Sequence, residues 1–237
     1  MKTLTRHALF ALTFSAVYSG SALADEPPCP FYENRSGLCG YYASEISPAQ
    51  AFVDTVVKRG KWTNPSKRPV ILDVRSTPEY REGHPEHALN VPYPYIYQEC
   101  DDKGRTPYGA CIKSIAQVPQ SNEDFLRYVE RAVPNKNTPV YTLCRTGVRS
   151  VGAANVLTDA GYTNVRNIWE GFVGINLTAP KKQADGTIKT MNVDLNHDGA
   201  LTDADKNGWR YHQALPYDTR LLPHLVYKDA LETYDWE

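Results

Sequence analysis

The sequence carries almost no net charge: 26 Lys+Arg stand against 27 Asp+Glu, leaving -1 at pH 7. No basic face is implied, which excludes a protein whose main task is to coat nucleic acid. Long apolar runs are missing beyond the extreme N-terminus, and the mean hydropathy is -0.50. That excludes a polytopic membrane protein. Internal repeats and low-complexity tracts are missing too. What remains is an ordinary globular balance, 41% apolar and 22% charged over 237 residues. A core can form, so wholesale disorder is excluded, and the length suits one large domain or two small ones.

The one apolar run reads as a targeting segment. Lys2 and Arg6 form a positive start, Ala8 to Tyr18 a short apolar stretch, and Ser21-Ala22-Leu23-Ala24 a small-x-small end. This is the pattern of a signal peptide over residues 1–24 cleaved after Ala24, and it implies a periplasmic or secreted protein. The stretch is too short to span a bilayer comfortably.

Cysteine is scarce and odd in number: Cys29, Cys39, Cys100, Cys111 and Cys144. An oxidising compartment pairs thiols, and five leave one over. Cys29 and Cys39 bracket a Pro-, Gly- and Ser-containing stretch; Cys100 and Cys111 bracket a run rich in turn formers. Two local bridges are the simplest of the connectivities that four cysteines allow, with Cys144 left free.

Residues 25–44 read as irregular. Ser47-Pro48-Ala49-Gln50 predicts a helix start, with Ser47 as N-cap and Gln50 at the capping-box position. Ala49, Phe52, Val53, Val56 and Val57 would form its buried face, ending at Gly60. Val70 to Val74 predicts a buried strand, Ser76-Thr77-Pro78-Glu79 a second capping box, and Ala88 to Val91 a weaker strand. Residues 92–120 lack periodicity and read as an insertion loop stapled by a disulfide. A helix is expected over 122–132 with Phe125, Tyr128, Val129 and Ala132 on one face. Val140 to Leu143 and Val165 to Ile168 read as strands around a helical stripe of Val151, Ala154, Leu157 and Ala160, stopped at Gly161. Strands alternating with helices imply an α/β fold, a parallel sheet flanked by helices.

Cys144 follows a strand and precedes a helix, which in such a sheet is the carboxyl edge where ligand sites form. Cys144-Arg145-Thr146-Gly147-Val148-Arg149 would wrap at the helix N-terminus, where backbone N–H groups and the helix dipole favour an anion. A thiol in that field is expected to act as a thiolate nucleophile. Gly147 permits a tight anion-cradling turn. Arg145 and Arg149 can grip an oxyanion.

These residues resemble the rhodanese family of sulfurtransferases. The resemblance runs through Val70-Ile71-Leu72-Asp73-Val74-Arg75, Glu79-Tyr80, Gly83-His84 and Ala88-Leu89-Asn90-Val91-Pro92. It continues in Cys144 to Ser150, Ala160-Gly161-Tyr162 and Val165 to Gly171, and so spans roughly residues 45–176. Asn207-Gly208-Trp209-Arg210 and Leu215-Pro216 resemble a tail of some bacterial members. One departure is Gly83-His84-Pro85-Glu86-His87-Ala88, where the family pattern is Gly-His-Ile-Pro-Gly-Ala. The resemblance implies that Cys144 is the catalytic sulfur carrier, passing a persulfide sulfur from a small anionic donor to cyanide or a thiol. Residues 145–149 would bind the substrate, with no organic cofactor. A non-enzymatic docking module of the cell envelope is the competing class. Phosphatase or arsenate chemistry fits less well, because those loops place five residues between Cys and Arg where this one has four. Asp73 and Arg75 read as a structural pair. His84 and His87 have the spacing of a metal pair but sit in the family's turn.

The remaining segment, 177–237, reads as a C-terminal extension. Within it, residues 194–205 resemble an EF-hand or dockerin calcium loop. Asp194, Asn196 and Asp198 take the first, third and fifth positions, Gly199 the sharp turn, Ala200 a carbonyl ligand, Thr202 the ninth position and Asp205 the twelfth. The resemblance implies a structural calcium. Position twelve is Asp rather than Glu, residues 187–193 look extended rather than helical, and Gly208 allows only a short exiting helix.

Overall fold

The computed structural model describes residues 38–100 and 114–227. The expected signal segment, Cys29, Cys111 and the side chain of Cys100 lie outside the described residues.

Five parallel strands build the main sheet in the order β1-β7-β6-β2-β3. They are β1 (Ser44–Ile46), β2 (Val70–Asp73), β3 (Leu89–Asn90), β6 (Val140–Leu143) and β7 (Val165–Ile168). Alternate residues point to opposite faces, so each strand feeds two cores. Leu72, Val74 and Val140 join one cluster, against Phe125 and Val129 of α3 (Asn122–Ala132) and Ala153, Ala154 and Leu157 of α4 (Arg149–Asp159). Ile71, Tyr141 and Leu143 join the other, with Ile46, Tyr80, Phe172 and Trp209. Every residue of β6 is buried, which is why it reads as a continuous apolar run.

Local signals account for most element starts. Ser121 caps α3 by accepting from the Asp124 N–H at 3.0 Å. The second capping box opens α2 (Thr77–Arg81), with Glu79 reaching back to the Ser76 N–H. Ser47 accepts from the Gln50 N–H and caps α1 (Pro48–Phe52).

Three expectations need correction. The first helix does not run evenly to Gly60. It widens at Val53–Val57, where Lys58 N–H reaches Val53 O, and then tightens to a 3₁₀ turn at Arg59–Lys61. Its buried residues are Pro48, Ala51 and Thr55, while Ala49 and Val57 are exposed. The Thr55 hydroxyl meets its need within the helix by donating to Ala51 O at 2.7 Å. Gln50 does not complete a capping box; its amide donates to Asp54.

Second, the irregular N-terminal stretch supplies an edge strand, β1, which is only three residues long and gets its pairing from β7. Third, the 92–120 segment is not all loop: β4 (Tyr95–Cys100) and β5 (Ser114–Pro119) form an antiparallel ladder with two register shifts. Those irregularities hide the two-residue period that would have announced strands. The stretch before the calcium-type loop is extended as expected: it is β9 (Ile188–Asn192), paired with β8 (Thr178–Lys182) in a hairpin exposed along its whole length.

In the departed turn, His87 sits at φ 62, a left-handed conformation. The family pattern has glycine at that position, where the conformation is free of strain.

Candidate active site

β6 ends at Leu143, and Cys144 begins the loop into α4 at the carboxyl edge of the sheet. Cys144 is 1% exposed and is the free cysteine among the described residues. The flanking arginines do not bring the sulfur to the surface: Cys144 lies beneath a loop whose residues 145, 146, 148 and 149 are partly exposed. The Ser150 hydroxyl donates to its Sγ at 3.3 Å. Cys29, the expected partner of Cys39, lies outside the described residues.

The loop is held from three sides. From below, Phe172 N–H donates to Cys144 O, and the N–H groups of Val173 and Gly174 donate to Arg145 O. From the neighbouring strand, the Asn167 amide donates to Gly147 O at 3.1 Å. At Gly147 itself, φ is 81 and a Cβ would lie 1.9 Å from Trp169 O, so no other residue fits. With its carbonyls so engaged, the loop leaves its donors available. Among the described residues, nothing accepts from the backbone N–H of Arg145, Thr146, Gly147, Val148 or Arg149. Five successive unpartnered N–H groups at the N-terminal end of α4 make an anion cradle beside a thiol.

The two loop arginines differ. Arg149 makes a two-pronged pair with Glu79, at 3.0 and 2.7 Å. Burial alone would raise the Glu79 carboxyl; the charge and hydrogen bonds of Arg149 outweigh it and hold the group at about 2. Arg149 is therefore a strut between α2 and the loop. Arg145 has no such carboxylate, and its Nε is buried without a hydrogen-bond partner. Burial pushes the Tyr211 hydroxyl of the C-terminal tail up to about 12, against the pull of Arg210 and Arg145.

Asp73 and Arg75 are the structural pair expected. The guanidinium takes both Asp73 oxygens, donates to Glu79 O and Gly83 O, and lies 4.2 Å above the Phe172 ring. His84 stacks on Tyr80 at 3.6 Å, and its Nδ1 donates to Tyr80 O. Three supports escaped the motif reading: Glu79 as partner of Arg149, Asn167 as brace of Gly147, and Ser150 as donor to the sulfur. Glu79 had a local explanation as a capping residue that concealed its long-range one.

The tail returns to this site. Trp209 and Arg210 N–H groups donate to Gly171 O and Phe172 O. Trp209 is fully buried, and its indole donates to Pro216 O.

In the 194–205 loop, Asp194 Oδ2 accepts from Gly199 N–H, and its Oδ1 is buried without a partner. Asn196 and Asp198 are exposed and hydrogen-bond to each other, while Asp198 Oδ1 accepts from the Ala200 N–H. Asp205, fully buried, spends its two oxygens on the N–H groups of Leu195 and Thr202 and so ties the loop's ends together. Among the described residues, no three His, Cys, Asp or Glu side chains are grouped to hold a metal ion.

The family model for the rhodanese-like domain matches residues 57–178. The chain belongs to the rhodanese-like domain family. Among curated relatives of this rhodanese-like chain, rhodanese-like domain-containing protein 17 of Arabidopsis thaliana is 32% identical over 121 residues, 50% of this chain and 65% of that protein. Thiosulfate sulfurtransferase 18 of the same plant is 33% identical over 102 residues, 43% of this chain and 62% of its own length. The chain thus spans less than two thirds of these relatives. A crystal structure of Rv0390 from M. tuberculosis is 27% identical, with a TM-score of 0.41, covering 76% of this chain and 99% of that one. No helix among the described residues is long and apolar enough to cross a membrane.

Proposed function

We propose that this rhodanese-like protein is an exported sulfurtransferase. Cys144 takes a sulfane sulfur from a thiosulfate-type donor and passes it to cyanide or a thiol. The carrying observation is the row of unpartnered N–H groups over residues 145–149, placed directly after the free Cys144. The Cys144 thiolate attacks the outer sulfur of the donor, the donor's S–S bond breaks, and sulfite leaves with the electron pair. The terminal persulfide sulfur then carries charge into the cradle, where fixed donors stabilise it without rearranging. The acceptor attacks that sulfur, and the Cys144 thiolate leaves as it formed. Arg145, rather than Arg149 already held by Glu79, orients the anionic donor. The N-terminal targeting pattern and the odd cysteine count support export. Local bridges Cys29–Cys39 and Cys100–Cys111 belong to the same proposal.

Purified protein incubated with thiosulfate should gain the mass of one sulfur, which cyanide then releases as thiocyanate. Cys144→Ser should lose both steps. Absence of sulfur loading from any sulfane donor would leave a docking module in place of an enzyme.

A calcium ion is proposed for the 194–205 loop as a structural group. The buried, unpartnered Asp194 oxygen fits it, and Asp194, Asn196, Asp198 and the Ala200 carbonyl would hold it. The ion would supply charge neutralisation to an acidic turn and no step of sulfur transfer. Calcium at about 1 mM, in the weak extracellular regime, should raise the unfolding temperature of wild type but not of Asp194→Ala/Asp198→Ala. An equal rise in both would remove the ion from this loop.

A further inference from the structure

Cys144 works at the carboxyl edge of the sheet. At the opposite edge, where β2 and β3 begin, a cavity of about 370 Å³ opens between the first helix, the end of α3 and the C-terminal tail. Its size falls in the range of small-molecule sites, roughly 300–1,000 Å³. Its wall is apolar, with Val70, Leu89, Val133 and Leu225, while Arg59, Arg68, His87 and His224 line it with Glu86 as the lone acid.

The two arginines are unlike the others that the core encloses. Arg75 and Arg149 each hold a carboxylate in two-pronged contact. Arg59 and Arg68 have no side-chain hydrogen bond or ion pair among the described residues, and the Arg68 Nε is buried without a partner. A buried charged donor left unmet is costly, and such a group calls for an explanation. Burial and the charge of Arg68 both disfavour the charged form of Arg59, with Glu86 opposing them. Cationic groups are thus gathered with too little counter-charge, over a surface that water wets poorly.

We infer that this cavity is a second ligand site, for an organic anion with an apolar body and a single acidic head such as a carboxylate, sulfonate or phosphate. The head pairs with Arg59 and Arg68, and the body covers Val70, Leu89 and Val133. A bare inorganic anion would leave the apolar wall uncovered, and Glu86 works against highly charged ligands. Sulfur transfer at Cys144 uses none of these residues.

The probe is 1-anilinonaphthalene-8-sulfonate, titrated by fluorescence and calorimetry at low salt, with circular dichroism checking that each variant is folded. Wild type should bind the dye saturably, one molecule per chain. Arg59→Gln/Arg68→Gln should weaken binding by about tenfold or more, the scale of lost charge-assisted hydrogen bonds. Ala132→Phe, at an exposed position of the wall, should also weaken it by filling the space while keeping both charges. That second variant carries the test if the double one does not fold. Cys144→Ser should bind as wild type does. Binding that stays within twofold in the folded variants, binding that never saturates, or displacement of the dye by an equal concentration of sodium sulfate would each overturn the assignment.

Discussion

Arg145 and Arg149 stand in one loop, yet they do different work because only Arg149 meets a carboxylate. Glu79 captures it at 2.7 and 3.0 Å, while Arg145 has no carboxylate partner among the described residues. That pair has a pH signature. Glu79 titrates at about 2 in the folded chain, below the ordinary carboxyl value of 4.5. A depressed folded value means that the pair's stabilisation is complete above about pH 4.5 and is lost as pH falls towards 2. Glu79→Gln should cost about 3 kcal/mol near neutrality, the scale for stripping one partner from a buried pair. The gap from wild type should narrow steadily between pH 5 and pH 2 in urea unfolding. A gap that stays constant over that range would mean that Glu79 is not ion-paired in solution.

Among the elements, the hairpin and the acidic loop form one excursion that leaves and re-enters the fold at a single point. Gly174 and Gly208 meet backbone to backbone; a Cβ on Gly174 would lie 2.1 Å from the Gly208 N. Asn207 closes the neck, its side chain accepting from Ile175 N–H and its own N–H donating to Ile175 O. β8 and β9 are exposed throughout and give nothing to either core. Replacing residues 175–207 with a short Gly/Ser link should therefore leave a folded protein whose sulfur loading stays within several-fold of wild type. Its unfolding temperature should no longer respond to calcium. Mass spectrometry after thiosulfate and a thermal scan check both; loss of loading in a folded variant would show that the excursion braces the cradle through Trp209 and Arg210.

For the whole molecule, sheet order and tail placement bring distant segments together. The tail closes the open edge of β3, with Asn90 N–H donating to Leu225 O and Tyr227 N–H to Asn90 O, and it buries Val226 and Tyr227. Much was legible beforehand. The β6–Cys144–α4 junction, the Ser47 cap of α1, the capping box of α2 and the buried strands follow from interactions within a few residues of chain, where apolar spacing and capping chemistry act directly. The cradle's position at a carboxyl edge also followed, since it needs only a strand, a glycine and a helix in succession. Tertiary structure decided what depends on meetings across the chain. Glu79 finds Arg149 70 residues away, Asn167 braces a loop 20 residues back, and β1 becomes a strand only because β7 lies beside it. The basic cavity is of this kind as well. Arg59, Arg68, His87 and His224 lie apart in sequence with no shared motif, and only the fold sets them round one apolar hollow. Sequence alone thus determined the local grammar and the place of Cys144 between a strand and a helix, because the forces behind them act along the chain. Which loop arginine is paired, the closed sheet edge and the second cavity were left to packing, because their partners become neighbours only once the chain has folded.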